Sequence, residues 1–259
     1  MRVNIAKPVK RFVPHLIRAR DENLNEAETV KFIGMFFKDV LGYDEVAEIT
    51  YESKIKEKFV DIAVKINGVV RLLVEAKRAG VTLRDRHIDQ ARHYAADANI
   101  RWVLLSNGIV WNLYHLTFEE GVDYERMFSV DIASDPIEKV SECLGLLHRK
   151  SLIKGEHEEF WQRRVALSPE SIARVLFSEN VLRFIRKEIR KREEILIDIE
   201  DIAKELFQTF SPTAQGRIGA VKIYKSKHKH KTKDKRVSEA PPISPPASLP
   251  TPEVDAIKR

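Results

Sequence analysis

The chain has 259 residues, 43% hydrophobic and 32% charged, enough for one sizeable core with an appendage; disorder along most of its length is excluded. A single cysteine, Cys143, excludes an intramolecular disulfide and a four-cysteine zinc site, and no apolar run approaches the roughly 18 residues of a membrane-spanning helix. The formal charge of +6 is uneven: residues 211–259 hold 11 Lys/Arg against 4 Asp/Glu, a net of +7, so residues 1–210 carry a net of −1.

In chain order, Met1 to Ile17 mixes charges and prolines without a signal-like apolar centre, and the expected location is cytoplasmic. Asn25 to Leu41 reads as a helix, with Val30, Ile33, Phe37 and Leu41 on one stripe and Gly42 ending it. Lys58 to Lys77 reads as two strands around Asn67-Gly68, and Thr82 to Ala98 as a helix opened by Thr82 with Asp85 three residues on. Ile100 to Ser106 and Ile109 to Leu116 form a second strand pair around Asn107-Gly108; Trp102, Trp111 and Tyr114 alternate there as core residues. A short strand over Phe128 to Ile132 and a helix over Pro136 to Arg149 complete a mixed α/β order, with Cys143 a small buried hydrophobe.

Ser168-Pro169-Glu170 then opens a helix whose apolar positions keep their spacing to about Lys191, and a second helix carries Ile199, Ile202, Ala203, Leu206 and Phe207. The basic run from Arg183 to Arg192 reads as a solvated face, with nucleic-acid contact as the alternative. Lys222 to Arg236 is strongly basic and 241–252 holds six of the eleven prolines, so the end reads as a flexible arm. Such an arm either adds non-specific phosphate affinity or merely solubilises, and His228 and His230 within it make a poor metal site. The expected division is a core over 1–150, a helical appendage over 151–210, and a disordered basic and proline-rich tail over 211–259.

Register decides the chemistry of the first hairpin. A two-residue turn at Asn67-Gly68 pairs Ile66 with Val69 and mixes charge into an apolar face. A three-residue turn pairs Lys65 with Val69 and leaves Val60, Ile62, Val64, Val70, Leu72 and Val74 on one uniformly apolar face. Burial selects the second. The other face collects Asp61, Ala63, Lys65, Arg71, Leu73, Glu75 and Lys77. Asp61 and Glu75 thus meet at the open end of the hairpin, where two carboxylates repel unless a cation or proton intervenes. Hard oxygen ligands suit Mg²⁺ or Mn²⁺, and a neighbouring ammonium can offset charge growing on a phosphate. Glu-x-Lys alone is a weak signal, since Glu52 and Lys54 repeat it, and a plain salt-bridge patch is the competing reading.

The segments NEAETVKFIGMFFKDVLGYD, FVDIAV…VVRLLVEAKRAG, HIDQARHYA and WVLLSNGIVWNLY, in this order over about residues 20–120, resemble the amino-terminal nuclease domain of type I restriction enzyme R subunits. They also resemble stand-alone type IV restriction endonucleases, all within the PD-(D/E)xK superfamily. The resemblance implies a restriction-endonuclease-like mixed β-sheet flanked by helices. It implies that Asp61, Glu75 and the Ala76 carbonyl hold Mg²⁺ or Mn²⁺, with Lys77 assisting the attacking water. The helix acid of the family falls on Glu26, with Glu28 the alternative; Gln90 and Tyr94 match a Gln-x-x-x-Tyr element that supports the lysine or contacts DNA. Val30 stands where the family often has a basic residue, and Val60 replaces the proline of the motif. His87 is either turned toward this site or simply solvated, and Arg71, Arg78, Arg84 and Arg86 are either backbone contacts or exposed arginines without such a role.

The function so implied is Mg²⁺-dependent DNA cleavage in restriction, with a catalytically inactive nucleic-acid-binding or assembly module as the alternative. DNA is the expected partner. No G-x-x-x-x-G-K-[ST] loop occurs, so a separate motor or specificity subunit is a further expected partner, as is a second copy in a homodimer; no membrane is.

Overall fold

A computed structural model describes residues 3–55, 58–119 and 121–225; the side chains of 53–59 and of Gln90 fall outside the description. The chain divides into two compact units, residues 1–173 and 174–259. The basic run after Lys225, His228 and His230 and the proline-rich end lie outside the described residues.

The first unit is built on a six-stranded sheet in the order β1 (Ile49–Ile55), β2 (Lys58–Ile66), β3 (Val69–Ala76), β4 (Trp102–Ser106), β5 (Val110–Thr117) and β6 (Asp123–Asp131). Only β3 and β4 run parallel; every other neighbouring pair is antiparallel. A parallel pair needs a crossover, here a short 3₁₀ turn, Asp85–Ile88, and α3 (Asp89–Asp97). The helix therefore starts later than Thr82, and Thr82 itself lies in an irregular stretch.

Both faces of the sheet are covered, so β3 and β4 read as nearly continuous apolar runs. Against one face pack α1 (Ala6–Asp21), α2 (Glu26–Asp39) and α4 (Ile137–Gly145), with Phe12, Leu16, Ile33, Phe36 and Phe37 meeting Ile62, Val64, Leu72, Val74 and Trp111. Against the other, Ile88, Ala91, Tyr94 and Ala95 meet Ala63, Leu73, Val103, Leu105 and Tyr114. Trp102, Trp111 and Tyr114 are core residues as expected, and Cys143 is half-buried against the first cluster.

α1 was not expected, because Pro8 and Pro14 obscure it. Pro8 falls in the first turn, where its missing N–H costs nothing; Pro14 is interior, and its lost bond is outweighed by the buried stripe Val9, Phe12, Leu16 and Ala19. α2 begins on a reciprocal cap: the Asn25 side chain accepts from the Glu28 N–H at 2.9 Å, and the Glu28 carboxylate accepts from the Asn25 N–H at 3.1 Å. Short helices α5 (Arg149–Lys154) and α6 (Glu156–Ala166) follow α4 and meet at Gly155, whose φ of 71° suits glycine.

The hairpin register corrects the expectation. The turn is the two-residue kind, pairing Ile66 with Val69, with Asn67 and Gly68 at φ 52° and 76°. The ladder then shifts by one between Val64 and Lys65, so that Val64 faces Leu72 and Ile62 faces Val74. Arg71 is the extra, exposed residue. A bulge thus keeps charge off the apolar face without a longer turn, and Asp61 and Glu75 still share a face. Val60 departs from the expected apolar face and packs with the α3-side cluster. Glu52, across from this point on β1, holds a φ of 45° that interrupts the extended backbone.

The second unit contains the end of α7 (Pro169–Leu176), α8 (Glu179–Glu193), α9 (Ile199–Gln208) and α10 (Pro212–Ile218), the last lying beyond residue 210. Phe177, Leu182, Ile202 and Ala203 are buried there, and Tyr224 pairs with Ser178 in an isolated bridge. Among the described residues no helix is long and apolar enough to cross a membrane.

Candidate active site

β3 delivers Glu75, Ala76 and Lys77 to the end of the sheet where the parallel pair stops. The Lys77 N–H still donates to the Ser106 carbonyl at 2.8 Å, so the lysine backbone is held although the strand has ended at Ala76. Asp61 comes from β2, and its Oδ2 accepts from the Ala76 N–H at 2.7 Å. That bond ties the first carboxylate to the strand carrying the second.

Lys77 Nζ lies 2.6 Å from Glu75 Oε1 and 3.5 Å from Glu26 Oε1. Glu75 is 3% exposed, and its other oxygen, Oε2, is buried without a hydrogen-bond partner among the described residues. Burial dominates its electrostatics: the carboxyl is pushed up to about 7, reinforced by Asp61 and Glu26 and only partly opposed by the lysine. Burial also raises Asp61, against the bond from Ala76 and the charge of Lys77. For Lys77 burial pulls downward, yet the hydrogen bond and charge of Glu75, with Glu26 and Asp61, outweigh it and hold the ammonium above its usual value. The cluster therefore stores excess negative potential around one fixed cation.

Glu26 is exposed; one turn on, Val30 is half-buried and packs against the core beside the buried Thr29, Ile33, Phe36 and Phe37. The cap engages Glu28, so of the two candidate helix acids Glu26 is the one beside Lys77. Tyr94 is 5% exposed, its ring among the α3-side core residues. Gln90 belongs to the same helix, its side chain outside the description. His87 accepts from the Arg84 N–H at 3.2 Å, and burial, Arg86 and Lys77 lower its pKa. Arg84 and Arg86 are exposed, whereas Arg71 projects near the turn end of the hairpin, away from this cluster.

Two residues that sequence reasoning missed fix the loop after Lys77. Asn23, at φ 52°, accepts from Arg78 Nε at 3.0 Å, and a Cβ at Gly80 would fall 2.8 Å from its Oδ1. Asn107 donates to the Val81 carbonyl at 2.8 Å while accepting from the Ile109 and Val110 N–H groups. Asn readily adopts the left-handed region, the available signal at Asn23; at Asn107 the sequence signals only a turn.

Among the described residues no group of three or more His, Cys, Asp or Glu side chains is placed to hold a metal ion. The donor set still fits a magnesium-like ion, which is commonly held by one or two carboxylates and completes its shell with water and substrate phosphate. Glu75 Oε2, without a hydrogen-bond partner among the described residues, is free to accept from such an ion or from a proton.

Residues 31–129 match a family model described as the type I restriction enzyme R protein N terminus. The match takes in Asp61, Glu75, Lys77, Gln90 and Tyr94, begins after Glu26, and spans 99 of the 259 residues. No curated protein and no solved structure matches the chain.

Proposed function

We propose that this chain is a metal-dependent endodeoxyribonuclease of the PD-(D/E)xK superfamily acting in a restriction system. One observation carries the reading: a buried carboxylate, Glu75, with one oxygen unpartnered among the described residues, lies beside Asp61 and a fixed ammonium at the end of a parallel strand pair. The similarity of residues 31–129 to a restriction subunit supports the biological setting.

Asp61, Glu75 and the Ala76 carbonyl would hold Mg²⁺ or Mn²⁺, with Glu26 adjacent. When bound, the ion supplies positive charge that keeps both carboxylates ionised and stabilises charge on a scissile phosphate. Lys77 orients the attacking water and offsets the charge growing on the phosphate oxygens as one P–O ester bond breaks. Glu75 fixes the ammonium in place, and the bond from Ala76 holds Asp61 at the cluster. Gln90 and Tyr94, both on α3, support the lysine or contact DNA. The catalytic region is assigned to residues 1–150. A motor or specificity chain and a second copy of this chain are the proposed partners beside DNA, and the setting is cytoplasmic.

Lys77 already occupies one Glu75 oxygen at 2.6 Å, which favours a second reading, a module that keeps the fold without cleaving. Mg²⁺ titration by calorimetry separates the two. A nuclease binds the ion in the parent and loses that binding in Asp61→Ala; a module gives no carboxylate-dependent heat. The companion assay is cleavage of plasmid and methylated DNA with Mg²⁺ or Mn²⁺, where activity surviving both Lys77→Ala and Glu75→Ala would remove the mechanism.

A further inference from the structure

At the turn end of the hairpin, roughly 20 Å along β3 from Lys77 at about 3.3 Å per residue, a cleft of about 480 Å³ opens between the Asn67-Gly68 turn, the start of β4 and the junction of α5 with α6. That volume suits a ligand of one or two rings. Its chemistry is divided. Arg71 and Arg101 line it, both exposed and without a carboxylate partner among the described residues. Deeper lie Trp102, His157 and Glu158.

His157 is 9% exposed, and its Nδ1 is buried without a partner among the described residues. Its ring stands edge-on to Trp102 with centroids 5.1 Å apart, and Trp102 in turn meets His115 at 4.8 Å. Burial lowers the pKa of both histidines, so His157 enters the cleft as a neutral imidazole. Trp102 Nε1 donates to Glu158 Oε2 at 3.2 Å, which orients that carboxylate and leaves its other oxygen to accept.

A bare phosphate would satisfy the arginines but face the Glu158 carboxylate. A simple amine would satisfy Glu158 and leave two guanidinium groups without an anion. A planar apolar ring would answer neither. We propose that this cleft binds a nucleotide, free or within a strand, with its phosphate at Arg71 and Arg101 and an amino-bearing base against Trp102, His157 and Glu158. The site is separate from the proposed nuclease centre and does not rest on it.

Calorimetry on the full chain tests this with the four deoxynucleoside monophosphates, inorganic phosphate and a four-nucleotide single strand. The adenine, cytosine and guanine nucleotides should bind at least tenfold more tightly than phosphate, and the thymine nucleotide, which lacks an exocyclic amine, more weakly than those three. Arg71→Ala/Arg101→Ala, at exposed positions, should cost at least tenfold, and Glu158→Gln should erase the preference over thymine. Glu75→Gln should bind as the parent does. Binding of the strand alone, with the same sensitivities, assigns the site to a nucleotide within a strand; binding of the monophosphates assigns it to a free one. No binding of either the monophosphates or the strand at millimolar concentration, affinity of both no better than phosphate, indifference to the arginine pair, or loss in Glu75→Gln would each overturn the proposal.

Discussion

At Glu75 burial and pairing pull in opposite directions. An ammonium 2.6 Å away should depress a carboxyl, yet desolvation with Asp61 and Glu26 nearby pushes it up to about 7. Removing Lys77 should therefore not strand a buried charge, because Glu75 takes up a proton instead. Lys77→Ala is expected to stay folded, with unfolding free energy within about 1 kcal/mol of the parent by denaturant titration, so that lost cleavage in this variant reports chemistry. His115 makes the opposite pH argument. It is 3% exposed, neither ring nitrogen has a partner among the described residues, and burial lowers its pKa to about 4. The unfolded chain binds this proton at about 6.5 and the folded chain only near 4, so this contribution to stability is full above 6.5 and falls as pH drops through that window. The loss is on the order of 3 kcal/mol once both states are protonated. His115→Phe keeps the stacking on Trp161 and should flatten the decline between pH 6.5 and 4 in thermal scans; an unchanged slope would assign it to other groups.

Helix α2 is the element whose sequence spoke most clearly, because cap, stripe and terminator agree over Asn25 to Gly42. Asn25→Ala removes one half of the reciprocal cap and should cost about 1 kcal/mol, read as a midpoint drop of about 2–4 °C. Gly34 on the same helix lies under the end of the half-exposed Tyr51 side chain, which a Cβ there would have to displace. Gly34→Ala should cost about 1–3 kcal/mol, and adding Tyr51→Ala should recover most of it, a coupling measured by a double-mutant cycle. Other elements were hidden for identifiable reasons. α1 carries two prolines, and β1 runs as Ile-Thr-Tyr-Glu-Ser-Lys-Ile at a sheet edge, where little alternation is enforced. The bulge at Arg71 could not be read because turn length and ladder shift compensate each other on the buried face.

On the scale of the molecule, the proposed chemistry sits in a unit with almost no net charge, while the positive charge is concentrated at the other end of the chain. Residues 226–259 hold 8 Lys/Arg and 4 Asp/Glu. Deleting them should weaken binding to any DNA sequence alike and flatten the dependence of log K on log salt, as seen by anisotropy at several salt concentrations; an unchanged slope would place the phosphate contacts within the remaining chain. Asp61, Glu75 and Lys77 were legible because the apolar face must be uniform, and the ladder shift restores on that face the parity that the two-residue turn alone would break. Asn23, Asn107 and the aromatic cleft were not, because each depends on segments that are distant in sequence. The most direct test of the nuclease assignment is the single-turnover rate of plasmid cleavage with and without Mg²⁺ in the parent, Lys77→Ala and Asp61→Ala. The expected result is cleavage only with the ion, falling at least about a hundredfold in either variant; cleavage without added metal, or at the parent rate in both variants, would contradict it.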